Sequence, residues 1–365
     1  MKVISSPVLE AIKKPESMIG ASMCQWEVVI SQAKVSNVLA RLCYLLDQKG
    51  LLNQVPDRPR RHLLSANVLS SKQNKLVHWE VRCLRKAISK TGYPFILLKG
   101  SAYVLAKLPP HYGRIFTDVD ILVPREGLAI VEKILMMHGW ITNHHNAYDQ
   151  KYYRKWMHEL PPLEHVHRQS VLDVHHNILP TTARLHPDPK KLIHDARCID
   201  GQDESFVFAP VDMVLHSATH LFHDGELENG LRDLLDLDAL IRFFVEEEKD
   251  FWDALLMRSI ELGLQRPLYY ALRYSHALLE TPVPDEVFQE ADKGGANVII
   301  AALMDALFMR ALAPDHPTCD TVFTGVARWM LYVRSHYLRM PFYLLIPHLI
   351  RKALRRDVSD KEESH

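Results

Sequence analysis

The chain has 365 residues, 47% hydrophobic and 24% charged, with 44 basic and 44 acidic side chains and zero formal net charge. That is the make-up of an ordinary soluble globular protein with room for two or three structural units, and it offers no electrostatic case for nucleic-acid binding. The five cysteines (Cys24, Cys43, Cys83, Cys198, Cys319) are scattered, odd in number and free of any CxxC spacing, which points to reduced thiols. The N-terminal stretch MKVISSPVLEAIKKPES lacks the apolar core of a secretory signal. The nearest approach to a membrane span, Met340 to Ile350, is interrupted by Pro341 and Pro347 and falls short of the ~18 apolar residues needed. A cytoplasmic protein is expected.

Residues 22–92 read mostly as helix: Val35, Val38, Leu39, Leu42, Leu45 and Leu46 recur at helical spacing, as do Leu76, Val77, Val81, Leu84 and Ile88. Asn53 to Arg61, with Pro56 and Pro59, reads as the loop between them. The period then changes. Phe95 to Leu98 suits a short buried strand, Gly100 ends it, and a helix is expected to about Leu108, where Pro109-Pro110 stops it. A second strand spans Ile115 to Val123, and a helix opened by Pro124 closes at His138-Gly139. Trp140 to Leu179 alternates aromatic and polar residues, with turn signals at Asn143 to Asn146 and Pro161-Pro162, as in a β-meander ending in VLDVHHNIL. From Pro210 onward helical periodicity persists, with loops near Asp224-Gly225, Pro282 to Pro284 and Pro314 to Pro317.

The chemistry concentrates in the strands. Asp118 and Asp120 are two apart in DVDILV, so on a strand their carboxylates share a face while Val119, Ile121 and Val123 take the other. Two such anions repel unless a cation neutralises them, and a hard all-oxygen pair suits Mg²⁺ with substrate phosphates. Upstream, Leu97-Leu98-Lys99-Gly100-Ser101 forms a strand–glycine–helix unit that offers backbone N–H groups, a hydroxyl and a lysine charge to phosphate. Downstream, Asp173 lies among apolar residues and shares a strand face with His175 and Asn177. A buried acid there needs a partner. A metal shared with Asp118 and Asp120 would meet that need.

Gly-Ser, then D-x-D, then a lone aspartate on a later strand resembles the nucleotidyltransferase superfamily built on the DNA polymerase β-like fold. More closely, LLKGSAY, GRIFTDVDILVPREGL and VLDVHHNI resemble the bacterial uncharacterised nucleotidyltransferase family over roughly residues 95–180. A weaker echo is LHSATHLFHDGELENGLRDLLDLDALI, a His-rich helical segment followed by Arg-x-x-x-Asp. The resemblance implies that Asp118, Asp120 and Asp173 ligate Mg²⁺ or Mn²⁺ and that Gly100 and Ser101 hold an NTP's triphosphate. It makes Lys99 and Arg114 phosphate contacts, and His175 the group that orients the acceptor or its water. The gap from Gly-Ser to D-x-D, with Pro109-Pro110 inside it, is longer than in many superfamily members. The expected fold is α+β: a small mixed-sheet nucleotidyltransferase core (residues 93–209) between an N-terminal (1–92) and a C-terminal (210–365) helical region.

The expected activity is Mg²⁺-dependent transfer of an NMP from an NTP, ATP by expectation, to an acceptor the residues do not name: small molecule, saccharide or protein. One alternative is a nucleotide-sugar glycosyltransferase that uses the D-x-D. Another is a catalytically silent nucleotide-binding or interaction module. His216, His220 and His223 fall on one helical face with zinc-compatible spacing, yet Leu215, Leu221 and Phe222 interleave them, which suits packing on the α/β unit or facing the cleft with Arg232, Asp233 or Asp236. Residues 328–356 carry Arg328, Arg334, Arg339, Arg351, Lys352, Arg355 and Arg356 and no acid. Such a segment suits an anionic membrane surface, an acidic partner, or simply a packed terminal helix with a solvated basic face.

Overall fold

A computed structural model describes residues 6–142, 147–199, 205–225 and 227–341. Its strands are β1 (Ile96–Leu97), β2 (Asp118–Leu122), β3 (Trp140–Thr142), β4 (Leu163–His165), β5 (Val171–His175), β6 (Arg197–Cys198) and β7 (Phe206–Val207). They form one mixed sheet in the order β3-β4-β5-β2-β1-β7-β6. β2 is central. It pairs antiparallel with β1 and parallel with β5, and the parallel register sets Asp120 beside Asp173. Val119, Ile121, Leu172 and Val174, on the opposite face, are all buried, so hydrophobic burial on one face holds the carboxylates on the other.

Helices flank the sheet, and the fold is α+β as expected. Before it come Met23–Val35, Leu39–Gln48 and Asp57–Ile88, the first opened by a capping box between Ser22 and Gln25. After it come Pro210–Thr219, Gly230–Glu247, Phe251–Glu261, Gln265–Leu279, Asp285–Lys293, Val298–Ala311 and Thr324–Arg339. Buried side chains from Val8 to Leu331 form one connected core through all three regions. Among the described residues no single helix is long and apolar enough to cross a membrane.

Several local expectations change. The loop expected over Asn53 to Arg61 is shorter, because Asp57–Ile88 starts with Pro59 in its first turn, where proline's missing N–H is harmless. The expected meander is broken by the helix Ala147–Trp156, whose polar and aromatic residues do not alternate cleanly. The turn signals at Asn143 to Asn146 lie outside the described residues. Of the basic C-terminal segment, Arg328 pairs with Asp315 and Asp320, and Arg334 donates to the Phe222 carbonyl between the rings of Tyr270 and Phe308. Those two therefore face the protein, while Arg351, Lys352, Arg355 and Arg356 lie outside the described residues.

A buried ionic knot ties the three regions together. Asp236, on Gly230–Glu247 and 1% exposed, binds Arg41 from Leu39–Gln48 at 2.6 Å and also Arg114 from the segment leading into β2. Arg41 donates as well to the Pro110 carbonyl at 2.7 Å. Next to this knot Gly113 sits at φ +68, and a Cβ there would lie 2.4 Å from the Arg41 backbone. Gly113→Ala is therefore expected to destabilise the protein by about 3 kcal/mol or more in urea denaturation. The control Gly50→Ala has φ +67 but open space around it and should lose only about 1–2 kcal/mol.

Candidate active site

The sheet delivers the carboxylates. Asp120 and Asp173 are register partners on β2 and β5, and Asp118 is two residues from Asp120 on the same face. Lys99 approaches Asp120 to 3.7 Å, and His175 Nε2 lies 3.1 Å from its Oδ1. On the far side of the ring, His175 Nδ1 is 3.3 Å from Glu159. His175 thus stands between two carboxylates, one on each ring nitrogen.

The electrostatics follow from this layout. Burial would raise the Asp120 carboxyl, but the Lys99 charge and the His175 hydrogen bond outweigh it and hold the group well below the usual carboxylate range. For Asp173 the nearby His175 charge is outweighed. Burial, then the Asp120 charge, pushes it up to about 7. Burial and Asp120 likewise raise Asp118, against the opposing pull of Lys99. For His175 burial works against the charged ring, and the Asp120 hydrogen bond with the Glu159 charge reverses that, leaving it above its ordinary value.

Asp173 Oδ1 is buried without a hydrogen-bond partner. An orphaned carboxylate oxygen beside a second carboxylate fits a hard divalent cation better than it fits protein or solvent. The three aspartates are nevertheless not gathered as tightly as His158, Glu159 and His175, whose ligand atoms lie within 4.8 Å of one another. Asp120 turns toward Lys99 and His175 instead.

The glycine–serine unit departs from expectation. Lys99 adopts φ +42, a left-handed conformation that is unusual for a non-glycine residue. Gly100 is required by packing: a Cβ there would meet the Phe116 ring at 2.4 Å. Ser101, 1% exposed, directs its hydroxyl to the Leu98 and Asp120 carbonyls at 2.9 and 3.2 Å. The serine expected against triphosphate instead anchors this turn to β2. Arg114, also expected against phosphate, is buried in the knot with Asp236 and lies over the Tyr103 and Phe116 rings. Its guanidinium holds the entry to β2 in place. Lys99 is the phosphate-compatible cation that stays at the carboxylates.

His216 is buried edge-on to Phe208, and burial, reinforced by the Lys99 charge, keeps it neutral at physiological pH. His216 and His220 both lie near enough to influence the site, since His220 bears on Asp120 and His216 on Lys99. His220 opens a π-helical turn, His220–Asp224, a local irregularity frequent at functional sites. The set His216, His220 and His223 does not gather its ligand atoms as a zinc site would; among the described residues His158, Glu159 and His175 do.

Sequence reading missed Arg41, His158 and Glu159. The last two sit on an extended piece beside the end of β5, where His176 N–H donates to the His158 carbonyl and Glu159 bridges to His175. Two residues of irregular strand before Pro161-Pro162 carry no periodic signal. The dipeptide His-Glu was the only visible cue.

Comparison with known proteins gives one match. A family model described as uncharacterised nucleotidyltransferase covers residues 22–280, well over half the chain. No curated protein and no solved structure matches.

The raised Asp173 has a measurable consequence. Its folded-state value of about 7 lies above the ordinary 3.8, so its contribution to stability is complete below about pH 4 and is lost as pH rises through 7. In chelator, Asp173→Asn keeps the shape and removes the charge. It is expected to be more stable than the parent at pH 8 by about 1–3 kcal/mol, with little difference at pH 4. Urea denaturation at the two pH values checks this, and a variant weaker at pH 8 would contradict the electrostatic account.

Proposed function

The chain belongs to the uncharacterised nucleotidyltransferase family and is a nucleotidyltransferase, and from that premise we propose that it moves a nucleoside monophosphate from ATP to a hydroxyl or phosphate acceptor, with Mg²⁺. The observation that carries this reading is the pairing of Asp120 with Asp173 across parallel strands, with Asp118 on the same face and an orphaned oxygen on Asp173. Asp118, Asp120 and Asp173 would hold the cation. When bound, it would screen the triphosphate and stabilise charge at the transferring phosphorus.

The protein's own groups supply the rest. Lys99 offers a point charge to phosphate from a turn tied to β2 through Ser101 and the Leu98 N–H bond to the Asp120 carbonyl. Asp173 has two carboxylate oxygens, so one can hold the cation while the other takes the acceptor's proton. The acceptor oxygen then bonds to the α-phosphorus as the α–β anhydride bond breaks, and pyrophosphate leaves. His175, held from both sides, orients Asp120. A glycosyltransferase that grips a sugar nucleotide through D-x-D alone has no use for Asp173 packed against Asp120, which favours nucleotidyl transfer.

Calorimetry with each NTP in Mg²⁺ is the direct test, followed by mass spectrometry of products. Asp118→Asn and Asp120→Asn are expected to abolish Mg²⁺-dependent nucleotide binding, and unchanged binding would overturn the reading. Lys99→Met should weaken NTP binding roughly tenfold, by about 1.4 kcal/mol, with the metal requirement kept. Binding without any transferred product would favour the silent module instead.

A further inference from the structure

We propose that His158, Glu159 and His175 form a second divalent-cation site, of mixed nitrogen and oxygen donors, next to the carboxylate site. The three side chains each place one ligand atom within 4.8 Å of the others. Glu159 Oε2 and His175 Nδ1 are 3.3 Å apart, and the His158 and His175 rings lie 5.2 Å apart, tilted by 30°. Ligand atoms at ~2.0–2.1 Å from a tetrahedral ion are separated by roughly 3.3 Å. The Glu159–His175 pair already has that spacing, and His158 needs only a small approach.

Backbone geometry builds the set. Hydrogen bonds from His176 N–H to the His158 carbonyl (2.7 Å) and from Leu160 N–H to the Val174 carbonyl (2.9 Å) lock residues 158–160 beside the end of β5. An independent feature points to a ligand. His175 turns its other nitrogen to Asp120 Oδ1 at 3.1 Å, and a carboxylate on the far nitrogen is the usual companion of a metal-bound imidazole. Two imidazoles and one carboxylate select Zn²⁺, Co²⁺ or Mn²⁺ over Mg²⁺, which prefers oxygen. Three protein ligands leave one position open for water or for a group on the acceptor. Because the carboxylate site is built from other residues, this site stands whether or not Mg²⁺ occupies Asp118, Asp120 and Asp173.

The test is calorimetric titration of the full chain with Zn²⁺ in excess Mg²⁺, repeated with Co²⁺ and visible absorption to register nitrogen ligation. The parent is expected to take up one Zn²⁺ that excess Mg²⁺ does not displace. His158→Gln and Glu159→Gln should each weaken it tenfold or more, whereas Asp118→Asn should retain it. Circular dichroism establishes that each variant is folded, and the two independent variants guard against loss of one. No Zn²⁺ uptake in excess Mg²⁺ overturns the proposal, as does uptake unchanged in both variants. Uptake lost in Asp118→Asn but kept in His158→Gln would place the ion on the aspartates and also overturn it. Failure of Mg²⁺-dependent nucleotide binding in the parent, with Zn²⁺ uptake intact, would count against the nucleotidyl-transfer reading alone.

Discussion

Mutual repulsion among the carboxylates of Asp118, Asp120 and Asp173 is the constraint around which the rest of the molecule is organised. Parallel pairing of β2 with β5 puts two of them directly side by side, and burial removes the water that would otherwise screen them. The strands next to β2 each bring a counter-charge. β1 leads into Lys99, whose left-handed backbone starts the next helix beside Asp120. β5 carries His175. Even so Asp173 keeps an unpartnered oxygen and is pushed up to about 7. That imbalance is what supports the proposal of a cation at these carboxylates.

Holding strained charge in place requires a rigid frame, and the Asp236 knot contributes to it. Arg41, Arg114 and Asp236 come from the N-terminal helices, the approach to β2 and the C-terminal helices. A buried ion group gains little net stability over apolar packing, but removing one member leaves uncompensated charge. Here it joins three segments distant in sequence at one buried carboxylate. Gly113 and Gly100 extend the same logic to backbone, one against Arg41 and the other against the Phe116 ring.

Much of this was legible in advance. The D-x-D spacing on an apolar strand announced two carboxylates on one face, and Asp173 among leucine and valine announced a third, because both signals are local and periodic. The helical regions were legible for the same reason. Less was visible where contacts span long separations. Ser101 and Arg114 have residue types suited to phosphate, yet their partners are the Leu98 and Asp120 carbonyls and the distant Asp236. The aromatic and polar residues of Ala147–Trp156 suggest a strand by composition, yet without clean alternation they form a helix. The Arg-x-x-x-Asp stretch at Arg232 to Asp236 reads in the sequence as a weak family resemblance and a candidate face of the cleft, while the anchoring of Arg41 and Arg114 by Asp236 emerges only from what packs on it.

By itself the sequence determined the carboxylate-bearing strands, the helical flanks and the class of chemistry, since strand alternation and helical periodicity act over a few residues. Only the tertiary structure decided the register that joins Asp120 to Asp173, the pairing of Arg41 and Arg114 with Asp236, and the gathering of His158 and Glu159 around His175. Those depend on which segments meet in space. Such meetings are set by the burial of the whole core and leave no repeating mark along the chain.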